Sequence, residues 1–87
     1  MNRFEEAREV LLPVVGKFPH VPAIFYDLAC YACRLGNLPE ARQWLARAFT
    51  VAEELRYGER TRLLALDDPD LEPLWKEIGS IELASRQ

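Results

Sequence analysis

The chain has 87 residues, 49% of them hydrophobic and 29% charged, with 11 Lys+Arg against 14 Asp+Glu for a net charge of −3. That length leaves room for one small domain and one core, and that composition excludes a disordered or collagen-like chain. The basic residues are scattered from Arg3 to Arg86 on an acidic chain, which argues against nucleic acid as a partner.

From the N-terminus, Phe4, Ala7, Leu11, Val14 and Val15 recur at three- and four-residue steps, so an amphipathic helix is expected over residues 3–16, bent at Pro13. The longest apolar run, residues 10–15, is broken by that proline and falls far short of the roughly 18 residues a membrane span needs. Glu5, Glu6 and Glu9 stand where the apolar stretch of a signal peptide would lie. A cytoplasmic protein with reduced cysteines is therefore expected, and no membrane association.

Residues 17–20 read as a turn. Pro22 suits the first turn of a second helix, whose stripe of Phe25, Leu28, Ala29, Ala32 and Leu35 runs to Gly36 as a left-handed stop. Pro39 opens a third helix with Ala41, Trp44, Leu45, Ala48, Phe49 and Ala52 inward, ending by Gly58. The short connection between these two helices makes them an antiparallel pair. A short helix is expected at residues 62–66, a turn at residues 67–70, and a last helix capped by Asp70 with Leu71, Leu74, Trp75 and Ile78 buried. Trp44 and Trp75 are expected as core anchors.

Self-similarity runs through this order. Glu6-Ala7-Arg8 returns as Glu40-Ala41-Arg42 at an offset of 34, and the same offset pairs Phe4 with Leu38, Val10 with Trp44, Leu11 with Leu45, Val14 with Ala48 and Val15 with Phe49. An offset of 33 sets Asn37-Leu38 on Asp70-Leu71, Ala41 on Leu74 and Leu45 on Ile78, a degenerate third unit. The period and the pattern Phe25-x₂-Leu28-Ala29-x₂-Ala32, Gly36-Asn37, Ala41-x₃-Leu45, Ala48, with Pro19 closing the preceding copy, resemble the tetratricopeptide repeat. The likeness covers residues 4–52. It departs where Ala32 replaces an aromatic, where Glu53 replaces a closing proline, and where the first repeat lacks its first helix. Residues 66–74 also resemble the tails that follow the last repeat in bacterial members of the family.

The resemblance implies an all-α fold of four to five helices, antiparallel pairs stacked as a short right-handed solenoid. Residues 1–87 would form one domain: residues 1–19 the second helix of a partial repeat, residues 22–57 a full repeat, and residues 59–87 a degenerate capping unit. It implies a non-enzymatic protein–protein interaction module with no cofactor and no catalytic or metal residues, taking a peptide or helix in a concave groove. The residues facing that groove would be Ala23, Tyr26, Asp27, Cys30, Cys33 and Arg34, with Tyr26 as a rigid contact and Arg34 as a bidentate donor to a carboxylate. The open face of the first helix suggests a homodimer across it.

Other chemistries find less support in the residues. Cys30-x₂-Cys33 could serve a thiol-redox or metal protein, the alternative from another class, but the pair sits mid-helix and the chain offers no second pair beside the lone His20. His20 reads as a turn residue. Asp67, Asp68, Asp70 and Glu72 lack the Gly and distant Glu of a calcium loop, so capping is the expected role. A helix-turn-helix DNA reader would need clustered basic residues, whereas Arg42, Gln43 and Arg47 lie among acidic neighbours.

Overall fold

A computed structural model describes residues 3–80, whose regular elements are all helical, joined by short turns, with no strand among them. The order is α1 (Arg3–Leu11), a 3₁₀ turn (Leu12–Val14), α2 (Pro22–Arg34), α3 (Leu38–Glu54), α4 (Gly58–Leu66) and a long C-terminal 3₁₀ segment (Pro69–Ser80). No helix among the described residues is long and apolar enough to cross a membrane.

The first helix stops earlier than its apolar spacing predicts. Pro13 has no N–H for the carbonyl of Glu9 and its ring crowds that carbonyl, so the backbone tightens to a 3₁₀ turn in which Val15 N–H reaches Leu12 O at 3.2 Å. Helices α2 and α3 form the most extensive pairing in the molecule. Proline sits in the first turn of each. The N-cap of α3 is Asn37, whose side-chain oxygen accepts from Glu40 N–H at 3.3 Å while its amide donates to Glu40 Oε1 at 3.1 Å.

The turn after α2 and the turn after α3 are built alike. Gly36 at φ 82° and Arg56 at φ 71° both take the left-handed conformation. Asn37 N–H bonds Ala32 O at 2.9 Å, as Tyr57 N–H bonds Ala52 O at 2.9 Å, the six-to-one closure of a Schellman cap. Gly58, expected to end α3, instead begins α4. A Cβ there would run into the Glu53 carboxylate and lie 3.3 Å from Glu53 Cα, so this glycine serves a close approach of helix start to helix end. Arginine pays the left-handed cost of roughly 1–2 kcal/mol that glycine avoids. Arg56→Gly is accordingly expected to raise stability by about 1 kcal/mol and Gly36→Ala to lower it by about as much, read from urea midpoints.

The last element is also a different helix from the one expected. Asp68, not Asp70, caps it: Asp68 Oδ1 accepts Asp70 N–H at 3.0 Å and Asp68 O accepts Leu71 N–H at 3.0 Å. With Pro69 opening the segment, an α-helix would need a bond from Pro73 to the Pro69 carbonyl, which proline cannot make, and the tighter 3₁₀ winding results. Leu71, Leu74 and Ile78 are nonetheless buried as their spacing predicts.

These elements close over one main cluster, in which Ala29, Ala32, Ala41, Leu45 and Phe49 from α2 and α3 meet Ala65 of α4 and Leu71, Leu74 and Ile78 of the C-terminal segment. A smaller cluster joins Phe25, Ala48 and Val51. The two tryptophans are half-buried against these clusters, each with its N–H satisfied: Trp44 donates to Glu40 Oε2 at 2.9 Å, and Trp75 to Ala65 O at 3.0 Å and Asp68 O at 3.1 Å. Helix α1 contributes no fully buried residue. Ala7 is therefore half-buried, while its sequence counterpart Ala41 is sealed in the core.

Two arginines related by the 34-residue offset tie α1 to α3 and α3 to the C-terminal segment. Arg8 grips Glu40 with two bonds at 2.7 and 2.9 Å, and Arg42 grips Glu77 at 2.6 and 3.0 Å. The first pair is the better shielded. The Arg8 guanidinium, followed in effect by the Trp44 N–H, holds the Glu40 carboxyl below its usual range. A depressed folded pKa means stability that is complete above the ordinary glutamate value of about 4.3 and lost as pH falls through the lower folded value. Glu40→Gln should cost about 1 kcal/mol at pH 7 and remove that share of the acid sensitivity, checked by urea melts at pH 7 and pH 3.

Candidate functional groove

The six residues expected to line a groove do not share one open face. Ala23 and Asp27 are exposed near the start of α2, and Tyr26 is half-buried between them. Cys30 and Cys33 are 6% and 5% exposed, because the C-terminal 3₁₀ segment packs over this half of α2 and draws both thiols into the main cluster. Arg34 is exposed but engaged: its guanidinium lies 5.1 Å over the Phe4 ring and 3.8 Å from Asp70 Oδ1, so it links α1 to the C-terminal segment across α2.

What remains open is a groove of about 370 Å³ between α2 and α4. Pro22, Ala23, Tyr26 and Asp27 form one wall, and Tyr57, Thr61 and Leu64 form the other. The second wall was legible as a helical stripe at residues 57, 61 and 64, but only if Gly58 is read as starting a helix and not as ending one. The shape of the groove is fixed from below. Tyr26 donates its hydroxyl to Asp68 Oδ2 at 2.9 Å, and burial first, then that bond, pushes its phenol well above the usual value. Thr61 donates to Tyr57 O at 3.0 Å, which holds the opposite wall. Asp27 brings the negative charge at the rim; partial burial and the nearby Asp68 raise its carboxyl above the ordinary range.

Beside the groove, Cys30 Sγ lies 3.8 Å from Asp68 Oδ2, and the ligating atoms of Cys30, Asp68 and Asp70 lie within 4.8 Å of one another. Burial, and next the charges of Asp68 (Cys30) and Asp70 (Cys33), push both thiols up, away from the thiolate that redox chemistry requires. Asp68 is already committed to Tyr26, Cys30 and Asp70 N–H. His20 stands apart, lining a separate cleft of about 330 Å³ with Arg47 and Glu54.

No protein-family model matches the chain, and no curated protein and no solved structure matches it.

Proposed function

We propose that the chain is a tetratricopeptide-like interaction module, non-enzymatic, which receives a short peptide or helix in the groove between α2 and α4. The observation that carries the reading is the groove itself: α2 and α4, which this reading takes as the first helices of two successive units, enclose a pocket with aromatic and aliphatic walls and one carboxylate at its rim. Walls of this kind favour a segment with an apolar anchor, and Asp27 favours a Lys or Arg beside that anchor.

The repeat reading draws on the equivalent arginines Arg8 and Arg42, each reaching forward to a glutamate of a later element. It also draws on Leu71, Leu74 and Ile78, which are buried like Ala41 and Leu45, the 33-residue offset pairing Ala41 with Leu74 and Leu45 with Ile78. The elevated thiols and the prior engagement of Asp68 count against the rival use of Cys30 and Cys33 in redox or metal chemistry.

The test is a two-dimensional NMR titration with a panel of short peptides that vary an apolar anchor and an adjacent cation. Binding is expected to shift the resonances of Ala23, Tyr26, Tyr57 and Thr61. Ala23→Arg should block the trough, and Asp27→Lys should weaken cationic peptides about fivefold or more while sparing neutral ones. Shifts confined to other faces, or peptides indifferent to both substitutions, would overturn the groove reading.

A further inference from the structure

We propose that the outer face of α4 is a self-association surface, through which two copies of this chain pair antiparallel about a two-fold axis. The inference does not depend on the groove reading, although Leu64 borders both surfaces. Among the described residues, five of the eight large apolar side chains most open to solvent fall within residues 55–66, with Leu63 62% and Leu64 60% exposed. The other three, Val10, Phe18 and Val21, are spread over α1 and the following turn.

The α4 residues form an ordered pattern. Gly58, Thr61 and Ala65 face the core, which at 100° per residue turns Arg60, Leu63, Leu64 and Asp67 outward. The outward sequence is Arg-x₂-Leu-Leu-x₂-Asp, and it is complementary to its own reverse. An antiparallel copy sets Arg60 opposite the second copy's Asp67 at both ends, roughly 10 Å apart along the helix, with the leucines meeting across the axis between them.

The charges themselves point the same way. Arg60 stands in the first turn of α4 and Asp67 at its C-cap, each at the end of the helix where its sign opposes the macrodipole. Neither forms an ion pair among the described residues. Within one copy this placement works against the helix, whereas in the antiparallel pair each charge finds its opposite and the two helix dipoles run counter to one another. One short helix per copy buries little area, so the pair should be weak, with a dissociation constant on the order of 0.1 mM.

Sedimentation velocity on the full chain from about 10 µM to 1 mM tests this around the expected constant. The wild type should pass from monomer to dimer. Arg60→Asp and Asp67→Arg should each weaken the dimer about tenfold or more, since each puts like charges at both ends. Mixed in equal amounts the two variants should pair again, because every end is then complementary. Val10→Asp should change nothing. All of these positions are exposed, and circular dichroism confirms that each variant is folded. A wild type that stays monomeric at about 1 mM, a dimer indifferent to both charge reversals, a mixture that stays monomeric, or a dimer abolished by Val10→Asp would each overturn the proposal.

Discussion

Ala41→Trp should cost at least about 3 kcal/mol and lower the melting temperature by roughly 12 °C or more, whereas Ala7→Trp should cost less than about 1 kcal/mol. The two alanines are equivalent in the sequence repeat and unlike in the fold. Ala41 is fully buried in the cluster that α2 and α3 share with the C-terminal segment, among Ala29, Ala32 and Leu45. Small residues there let the helix axes come close, so an indole has no space unless the hairpin opens. A chain of this length has a total stability of only about 4–13 kcal/mol, and overpacking at its centre therefore removes a large share. Ala7 lies on a helix with no buried residue, where an added ring can lie over solvent-facing side chains. Thermal melts followed by circular dichroism check the pair. Similar small losses at both sites would contradict the close packing of α2 on α3, and a large loss at Ala7 would mean that α1 is sealed in a way its exposure does not suggest.

That contrast marks the part of the molecule that periodicity could reveal. The α2–α3 hairpin was legible because each helix carries a proline near its start, a clear apolar stripe, and between them Gly36, the residue suited to a left-handed stop. The second hairpin turn repeats that geometry with Arg56 in place of glycine, so the usual signal is missing and Gly58 drew the boundary to the wrong place. The C-terminal segment kept its predicted apolar face and lost its predicted winding. Burial at residues 71, 74 and 78 satisfies a three- to four-residue spacing in either helix type, so the pattern could not tell one from the other.

The candidate site was legible in part for a related reason. Ala23, Tyr26 and Asp27 belong to the open groove, and their helical stripe continues to Cys30, Cys33 and Arg34 without a break in character. Nothing local to α2 says that the second half of that stripe is covered. The cover comes from residues about 40 positions later, through Asp68 and Leu71, and a long-range contact of this kind leaves no mark in the periodicity of either element.

Asp68→Ala is expected to cost about 2–4 kcal/mol, an unusually large effect for a residue in a connecting turn. One carboxylate oxygen accepts the Tyr26 hydroxyl at 2.9 Å and the Cys30 thiol at 3.8 Å, and the other accepts Asp70 N–H at 3.0 Å, so the side chain fastens the C-terminal segment to α2. Removing it costs the cap of that segment, about 1 kcal/mol, and leaves a half-buried phenol without its charged acceptor, about 1.5–3 kcal/mol. Asp68→Asn keeps an oxygen for the cap and should lose only about 1 kcal/mol. A double-mutant cycle with Tyr26→Phe isolates the phenol's share, and a coupling near 1 kcal/mol or above is expected from urea melts. The same variant has a spectroscopic signature: without the carboxylate, the Tyr26 phenol should titrate closer to its ordinary range, visible as phenolate absorbance at lower pH. Because Tyr26 also forms part of the groove wall, the proposed peptide binding should weaken in Asp68→Ala under conditions where the fold persists. If Asp68→Ala melts like the wild type, or if Tyr26→Phe costs the same with and without Asp68, the C-terminal segment is held by its buried Leu71, Leu74 and Ile78 and by the Arg42–Glu77 and Trp75 bonds without help from the Asp68 side chain, and the link from turn to groove fails.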